Sequence, residues 1–546
     1  MNEFSRRFGI KTGAAIGALA AAGTLRYVTY AEPRPIGTPE EASGASVGGE
    51  IIIGVSELGD TLDPHKTGSA AVSTIVSLCG DRLIAEDFDG NYVPALAKEW
   101  TVSDDGLVWT FTLREDVKFQ DGTPFDANSA KFSFDRILDP ATKSITAGGL
   151  VGSMTSVEVL GPYQFKFTLK ESFAPLLDSL TAGVLSFVSQ PALEAAGDDF
   201  GRKPVLTGPW MVDEWREGDR IILKRNPDYA WAAEYLHQDP PGAFVETITF
   251  QSIIEEASRI AAFEAGEIQQ VTIPAVDVER IQESDEFWII DYWRKGVVFL
   301  EFNVTQAPFD DVNVRRALNF AVNKQDVMDA AVEGYGQIAY GFLSPTIPGY
   351  WDGIAEYAPA YDPEQAKTLL AEAGWVADGD GKLSKDGQPL KFTALNLPTD
   401  AWGRAAQVIQ SQLGDVGIEM EIQQLEFATL LDEAKTASHQ AEMMGYTYSD
   451  PDIAYLWFHS AQAGTGLNMS HIKDPELDAM IMTGRSTMDP AARNEIYAEI
   501  QRYVSDLALW IPLWIDQYFI GYSKNIQNAV LHPDNYAVYY DAWITE

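Results

Sequence analysis

Two stretches in the first third of the chain alternate apolar and polar residues: LVWTFTL at 107–113 and YQFKFTL at 163–169. An extended backbone points successive side chains to opposite faces, so this period of two predicts half-buried strands. The β-branched run at 50–55 predicts a further short strand. Between the two alternating stretches the period becomes helical. Asp126 stands at the N-cap of ANSAKFSFDRIL, with Phe132 and Ile137 at helical spacing from neighbouring apolar positions. Farther on, Asp311 precedes VNVRRALNFAVNKQDVMDAAVE, where Val314, Leu318, Ala321 and Val322 recur at helical spacing and predict one buried face. In DPEQAKTLLAEAG, Asp362 is the N-cap, Pro363 the first helical residue, Gln365 the partner in a capping box and Gly374 the stop. Gly/Pro clusters at LTGPW (206–210), QDPPGAF (238–244) and SPTIPGYWDG (344–353) mark breaks. With neither a repeat period nor heptads, the pattern is that of a mixed α/β protein of several lobes.

Length and composition agree with that division. A chain of 546 residues exceeds what one core supports, and about 150 residues per domain predicts three or four units. Charge narrows the partners. The chain carries 80 acidic and 39 basic residues, a net charge of −41 spread along its length. Such a surface repels phosphate backbones and anionic lipid heads, which excludes nucleic acid and membrane surfaces as partners. It serves solubility, including in salty surroundings; attraction of a cationic ligand is the alternative. Cys79 is the only cysteine, so there is no intrachain disulfide and no cysteine-based metal cluster. Within SLCGDRLI it reads as a small buried hydrophobe, and it lies too deep in the chain for a lipid anchor.

The first residues read as an address. FSRRFGIK at 4–11 precedes a small, apolar run at 13–25, and Thr29-Tyr30-Ala31 offers a small-x-small cleavage site. Arg6 and Arg7 after Ser5 resemble a twin-arginine export signal, so residues 1–31 are expected to be a signal peptide, cleaved or retained as an anchor. Residues 32–49 are then a flexible leader rich in Pro, Gly, Ser and Glu, and order begins near Glu50. No later stretch of 18 apolar residues occurs, so the mature protein is expected to be soluble outside the cytoplasmic membrane.

Motifs for covalent chemistry are sparse. GASVG at 44–48 matches the nucleophile elbow in letters but lacks the strand and helix the mechanism needs. Histidines 65, 237, 439, 459, 471 and 532 include no pair at one-turn spacing, so no metal site is expected. DGDGKLSKDG at 378–387 breaks the calcium-loop ladder at Lys382 and Leu383 and reads better as a hairpin turn. Phosphate-cradling and dinucleotide fingerprints are absent, so no cofactor is expected. Asp450 and Asp452 are spaced for acid–base work in glycoside hydrolysis, which makes an exported hydrolase the rival class. With 80 acidic residues, pairs of this kind arise by chance.

The block ALAKEWTVSDDGLVWTFTLREDVKFQDGTPFDANSAKFSFDRILD at 95–139 joins a Trp-anchored turn, a strand, the turn DGTP and a capped helix. Together with TLDPH (61–65), LTGPW, LKRNPDYAW (223–231), FEAGEI (263–268), FDDVNVRRALNFAVNKQDV (309–327), AKTLLAEAGW (366–375) and IPLW (511–514), it resembles the family 5 extracellular solute-binding proteins of ABC importers, which include dipeptide, oligopeptide and nickel receptors. The resemblance runs from about residue 50 to the end. It implies an α/β, periplasmic-binding-protein-like two-lobe fold of type II, with a hinge and an extra third domain. By that analogy lobe I comprises 50–90, 205–303 and 505–546, the additional domain 91–204 and lobe II 304–504, with hinge-crossing strands at 297–304 and 507–514. The implied function is capture of a small-molecule or short-peptide ligand by lobe closure. A monomeric receptor would then deliver it to ABC permease subunits in the membrane, with no enzymatic step. A peptide or peptide-like solute comes first; an oligosaccharide, an opine-like or another organic solute comes second.

Site residues are implied by the same resemblance. Peptide receptors of the family accept the ligand's amino terminus on an aspartate four residues before an acid-Pro pair; here that place holds Thr447, flanked by Gly445, Tyr446 and Tyr448. A hydroxyl does not neutralise an ammonium, so Thr447→Asp is expected to favour free-amine peptides. Asp450 is the substitute acid, or else a cap for the helix that DIAYLWF begins. Trp402, Phe427, Asn468 and Trp514 correspond to pocket-lining positions, and Gly68 and Ser69 to a loop facing the cleft. Arg404 is a candidate partner for a ligand carboxylate, or a surface helix arginine. Of the aromatic residues, Trp402 and Tyr448 are assigned to the pocket and Trp457 to the core.

Overall fold

The long strand Trp510–Ser523 holds the protein together by pairing with different neighbours along its length. In a computed structural model, which describes residues 47–88, 90–144, 146–233, 245–532 and 537–545, it lies inside a mixed sheet of 12 strands. The expected signal peptide, the leader as far as residue 46, the start of GASVG, the QDPPGAF break and His237 lie outside the described residues.

The first part of the long strand pairs antiparallel with Val298–Phe302, and its last part with Phe287–Trp293 and Gln270–Ile273. Beyond Val298–Phe302 follow Ala441–Gly445, Lys391–Asn396 and Glu419–Gln424. Beyond Gln270–Ile273 follow Gly48–Val55, Val245–Ser252, Arg220–Arg225 and Trp210–Arg216. The two halves bury separate cores. Strand Val298–Phe302 is buried on both faces, with Val298, Leu300 and Phe302 in one core and Phe299 in another beside Trp457 and Trp510. A strand covered on both sides needs a continuous apolar run, and VVFLEF supplies one with Glu301 as its single charge.

A second sheet of four antiparallel strands is formed by Ala97–Val102, Val108–Leu113, Gln164–Leu169 and Met154–Gly161. Helix Ala127–Leu138 lies across it, begun by a capping box between Asp126 and Ser129, and places Phe134 about 6 Å from the rings of Phe165 and Phe167. The alternating stretches therefore lie as predicted, within a residue at each start. Cys79 is buried in a core with Ile51, Val76, Trp210 and Ile248, and DGDGK forms the turn between Val376–Ala377 and Leu383–Lys385, closed by Asp378 accepting from the amides of Asp380 and Lys382.

One element departs from expectation. The segment after Asp311 is two helices, Val312–Ala321 and Lys324–Val332, with Val322 extended between them. Asn323 causes the break: its side chain accepts the amide of Gln325, a capping bond that competes with continuing the first helix. Both helices keep their apolar faces in one core, which is why periodicity alone reads through the interruption.

The link between Phe287–Trp293 and Val298–Phe302 also requires a glycine where it passes the segment that follows Ala441–Gly445. A β-carbon on Gly296 would lie 1.7 Å from the carbonyl oxygen of Tyr446. Tyr446 and Tyr448 donate their amides to Val297 and Lys295 on either side, so the backbones touch there with no room for a side chain.

Candidate functional site at the strand crossing

Val298 lies opposite both Gly445 and Trp514, so three strands bring these residues into one row. Gly445 has no side chain, and Trp402 packs over it; a β-carbon there would sit 3.5 Å from the indole. Helix Asp400–Asp415 presents Trp402 in its first turn, where Thr399 accepts the tryptophan's amide.

Past Gly445 the chain leaves the sheet. Tyr446 is buried and donates its hydroxyl to the carbonyl of Phe342. Thr447 is exposed, and its Oγ1 accepts from Nε of Arg294 at 2.7 Å. The same guanidinium donates through Nη1 to Asp516 Oδ2 at 2.9 Å, and Asp516 Oδ1 accepts the Trp514 indole N–H at 2.6 Å. Thr447, Arg294, Asp516 and Trp514 thus form one chain of hydrogen bonds across the three strands. Burial works against the arginine's charge, but Tyr518 and Asp516 outweigh it and hold the guanidinium above its ordinary value.

The acidic pair lies farther along the same segment. Asp450 makes two bonds to Arg493, at 2.6 and 2.8 Å, and accepts the amide of Asp452 at 2.7 Å. Asp452 lies 3.3 Å from Arg485, and burial pushes its carboxyl up to about 7. Both aspartates are buried, at 5% and 2% exposure. Asp450 therefore forms a turn just ahead of helix Ile453–Phe458, whose N-cap position is Asp452, and does not cap that helix itself. Tyr448 is half-buried beside these groups.

A second seam joins this segment to the four-stranded-sheet region. Ser449 Oγ lies 2.8 and 2.9 Å from the carboxylate oxygens of Asp178, and Ala174 donates its amide to the carbonyl of Arg485. The Arg485 guanidinium rests 3.7 Å from the Tyr455 ring and 5.0 Å from that of Phe173.

The remaining predicted residues stand apart from the crossing. Arg404 donates to the carbonyls of Ala330 and Ala331 at 2.6 and 2.9 Å, where it caps helix Lys324–Val332, so the guanidinium is committed to backbone and not held out for a carboxylate. Asn468 is fully buried and donates its amide to the carbonyls of His459 and Ile472, which makes it a loop staple where a wall residue is expected. Phe427 is 53% exposed at the first position of helix Phe427–Lys435. Gly68 is exposed, and Ser69 caps helix Ala70–Cys79. Trp457 packs edge-on against Phe299 and Trp510 in the core. A small hollow lies elsewhere, among Asp81, Trp210, Tyr229, Trp231 and Tyr540, and is lined by none of the crossing residues.

Sequence reasoning missed Arg294 and Asp516. Each carried a signal: a basic pair immediately ahead of the apolar run VVFLEF, and an acid closing LALWIPLWI two residues after Trp514.

The family model for bacterial extracellular solute-binding proteins, family 5 (middle region), matches residues 91–465. The chain belongs to this family. Among family 5 relatives, the glutathione-binding protein GsiB of Escherichia coli O1:K1 / APEC is 28% identical over 518 residues, spanning 93% of this chain and 97% of GsiB. The oligopeptide-binding protein AppA of Bacillus subtilis, solved with a nonapeptide, superimposes with a TM-score of 0.75 at 25% identity, over 92% of this chain and all 100% of AppA. NikA of Brucella suis, solved with Fe(III)-EDTA, gives a TM-score of 0.81 at 25% identity, over 91% of this chain and 100% of NikA. The α/β fold of this family 5 protein is accordingly the two-lobe, type II fold of the periplasmic peptide-binding proteins.

Proposed function

We propose that the protein is an exported receptor that captures a peptide or peptide-like solute by lobe closure and delivers it to the membrane permease of an ABC importer. The observation that carries this reading is the strand crossing. Two sheet halves with separate cores share Trp510–Ser523, and the paired segment runs through 294–297, where Thr447, Arg294, Asp516 and Trp514 meet. A few backbone residues between two rigid bodies make a hinge. In this proposal the first lobe takes roughly 50–90, 205–303 and 505–546, the second 304–504 and the additional domain 91–204, with 297–304 and 507–514 as the strands that cross between the lobes. Trp402, Gly445, Thr447, Tyr448 and Trp514 stand at or beside the hinge end of the cleft. Export by the twin-arginine route to the periplasm, and action as a monomer, belong to the same proposal.

The relatives named for glutathione and oligopeptide binding support a peptide-like solute ahead of an oligosaccharide or opine-like one. Hydrolysis by paired acids is disfavoured by geometry. Asp450 and Asp452 are buried and face arginines, whereas a glycosidase pair must flank the scissile bond.

The test is mass spectrometry of solute released by denaturing gently purified protein. Recovery of an unaltered solute near one per chain is expected. Turnover of that solute during incubation with the protein would sink the receptor reading.

A further inference from the structure

Arg294 stands out in a chain with twice as many acids as bases: it is a cation set at the one place where both sheet halves and the 446–452 segment meet. An arginine presents five N–H donors in a rigid fork. Nε is taken by Thr447 and Nη1 by Asp516, while Nη2 has no acceptor among the described residues. The side chain keeps 16% exposure. Asp516 orients the fork without offering a free negative end, because one oxygen accepts from Arg294 and the other from the Trp514 indole. Thr447 adds a hydroxyl and no charge.

Two phenols lie in the same field. Tyr292 and Tyr518 stack at 5.4 Å, both half-buried, and both interact electrostatically with Arg294. Neither hydroxyl has a hydrogen-bond partner among the described residues, whereas that of the neighbouring Tyr446 is committed to Phe342. The hinge therefore presents a guanidinium edge and two phenolic donors, and the carboxylate bonded to that guanidinium, Asp516, is already engaged. An ammonium group brought there meets a like charge; a carboxylate meets a planar fork that fits it.

We propose that the hinge floor is an anion subsite in which Arg294, flanked by Thr447, Tyr292 and Tyr518, takes a carboxylate of the bound solute. This rests on the receptor reading above and adds the polarity of the ligand end that reaches the hinge. It also revises what Thr447→Asp does: with Arg294 Nε against position 447, an added carboxylate pairs with the guanidinium and competes with the ligand's own acid.

The experiment uses a mixed tripeptide library in four end-group forms: free, N-acetylated, C-amidated and doubly blocked. Each is dialysed against the purified protein at fixed salt, and retained species are quantified by mass spectrometry. Free and N-acetylated peptides are expected to be retained about tenfold or more over C-amidated ones, the range of a hydrogen-bonded charge. Arg294→Gln should bring that ratio near one, Arg294→Lys should keep part of it, and Thr447→Asp should reduce it. Should Arg294→Gln fail to fold, the wild-type ratio and the other two variants still decide. Equal retention of acids and amides by the wild type, or an unchanged ratio in the variants, overturns the anion subsite and leaves the receptor reading standing. Retention of no form by the wild type overturns both.

Discussion

Replacing Arg493 by methionine tests what the acidic pair is for. Arg493 and Asp450 keep 11% and 6% side-chain exposure and meet through two charge-assisted bonds of 2.6 and 2.8 Å. The arginine also donates to the carbonyl of Gly484 at 3.1 Å and covers the Tyr497 ring at 5.1 Å. Methionine keeps much of the apolar contact but leaves Asp450 as a buried, uncompensated charge, which costs about 3–5 kcal/mol. Asparagine at 450 removes that charge and still accepts the Asp452 amide. Arg493→Met with Asp450→Asn should therefore recover a large share of the loss, a coupling of about 1–3 kcal/mol in a double-mutant cycle. The assay is urea unfolding followed by tryptophan fluorescence at one pH and one salt concentration for all four proteins. A single-variant cost below about 1 kcal/mol, the level of an exposed pair, or strict additivity in the cycle, would refute the assignment of Asp450 to a structural ion pair.

A second prediction concerns pH. Glu301 and Glu442 face each other across adjacent strands, both fully buried, and His439 lies 2.6 Å from Glu442. Burial pushes Glu442 up to about 8 from 4.5, so it carries a proton into the fold at neutral pH, and burial together with the facing Glu442 raises Glu301 as well. An acid raised by folding makes the folded state less stable as pH climbs toward the raised value. Burial holds His439 down to about 4, so it is neutral in the folded chain throughout the range from pH 6.5 to 8, and its titration in the unfolded chain is the same with or without Glu442. From pH 6.5 to 8, Glu442→Gln should then gain stability relative to the wild type by up to about 1.4 kcal/mol per pH unit; a constant or opposite difference in parallel urea curves excludes a protonated Glu442 in the folded chain. At the crossing, Gly296→Ala must push apart two hydrogen-bonded backbone segments and is expected to cost about 3 kcal/mol or more. Gly414→Ala, in a helix with nothing within 4 Å of the new methyl, should instead stabilise by about 0.5–1 kcal/mol; similar thermal shifts for the two would contradict the steric account.

Much of the fold was legible because it is written locally. Strands Val108–Leu113 and Gln164–Leu169 each bury one face of a sheet, and a side chain's face follows from its parity in the sequence. Helix Ala127–Leu138 announces itself by its cap, and Pro363–Glu372 by cap, proline and the following Gly374. The same local logic misread 312–333, where two helices share one apolar face and the sole evidence of the break is an asparagine whose capping bond must compete with the helix.

The site divides along the same line. Thr447 could be singled out from the sequence, since a motif and its spacing are properties of the chain. Arg294, 153 residues earlier, and Asp516, 222 residues after Arg294, could not, because no period or spacing links them to Thr447. Only the folded sheet, which lays three strands side by side and presses Gly296 against Tyr446, brings their side chains within hydrogen-bonding distance. Arg404 and Asn468 show the converse: each has the right residue type for a ligand contact, and each is bound instead by backbone carbonyls that only the tertiary structure supplies. By itself the sequence determined the family, the elements and the excess of negative charge, all set by local patterning and composition. Which charged groups remain available to a solute was decided by long-range packing, because a hydrogen-bonding group is open to a ligand only when the fold leaves it unsatisfied.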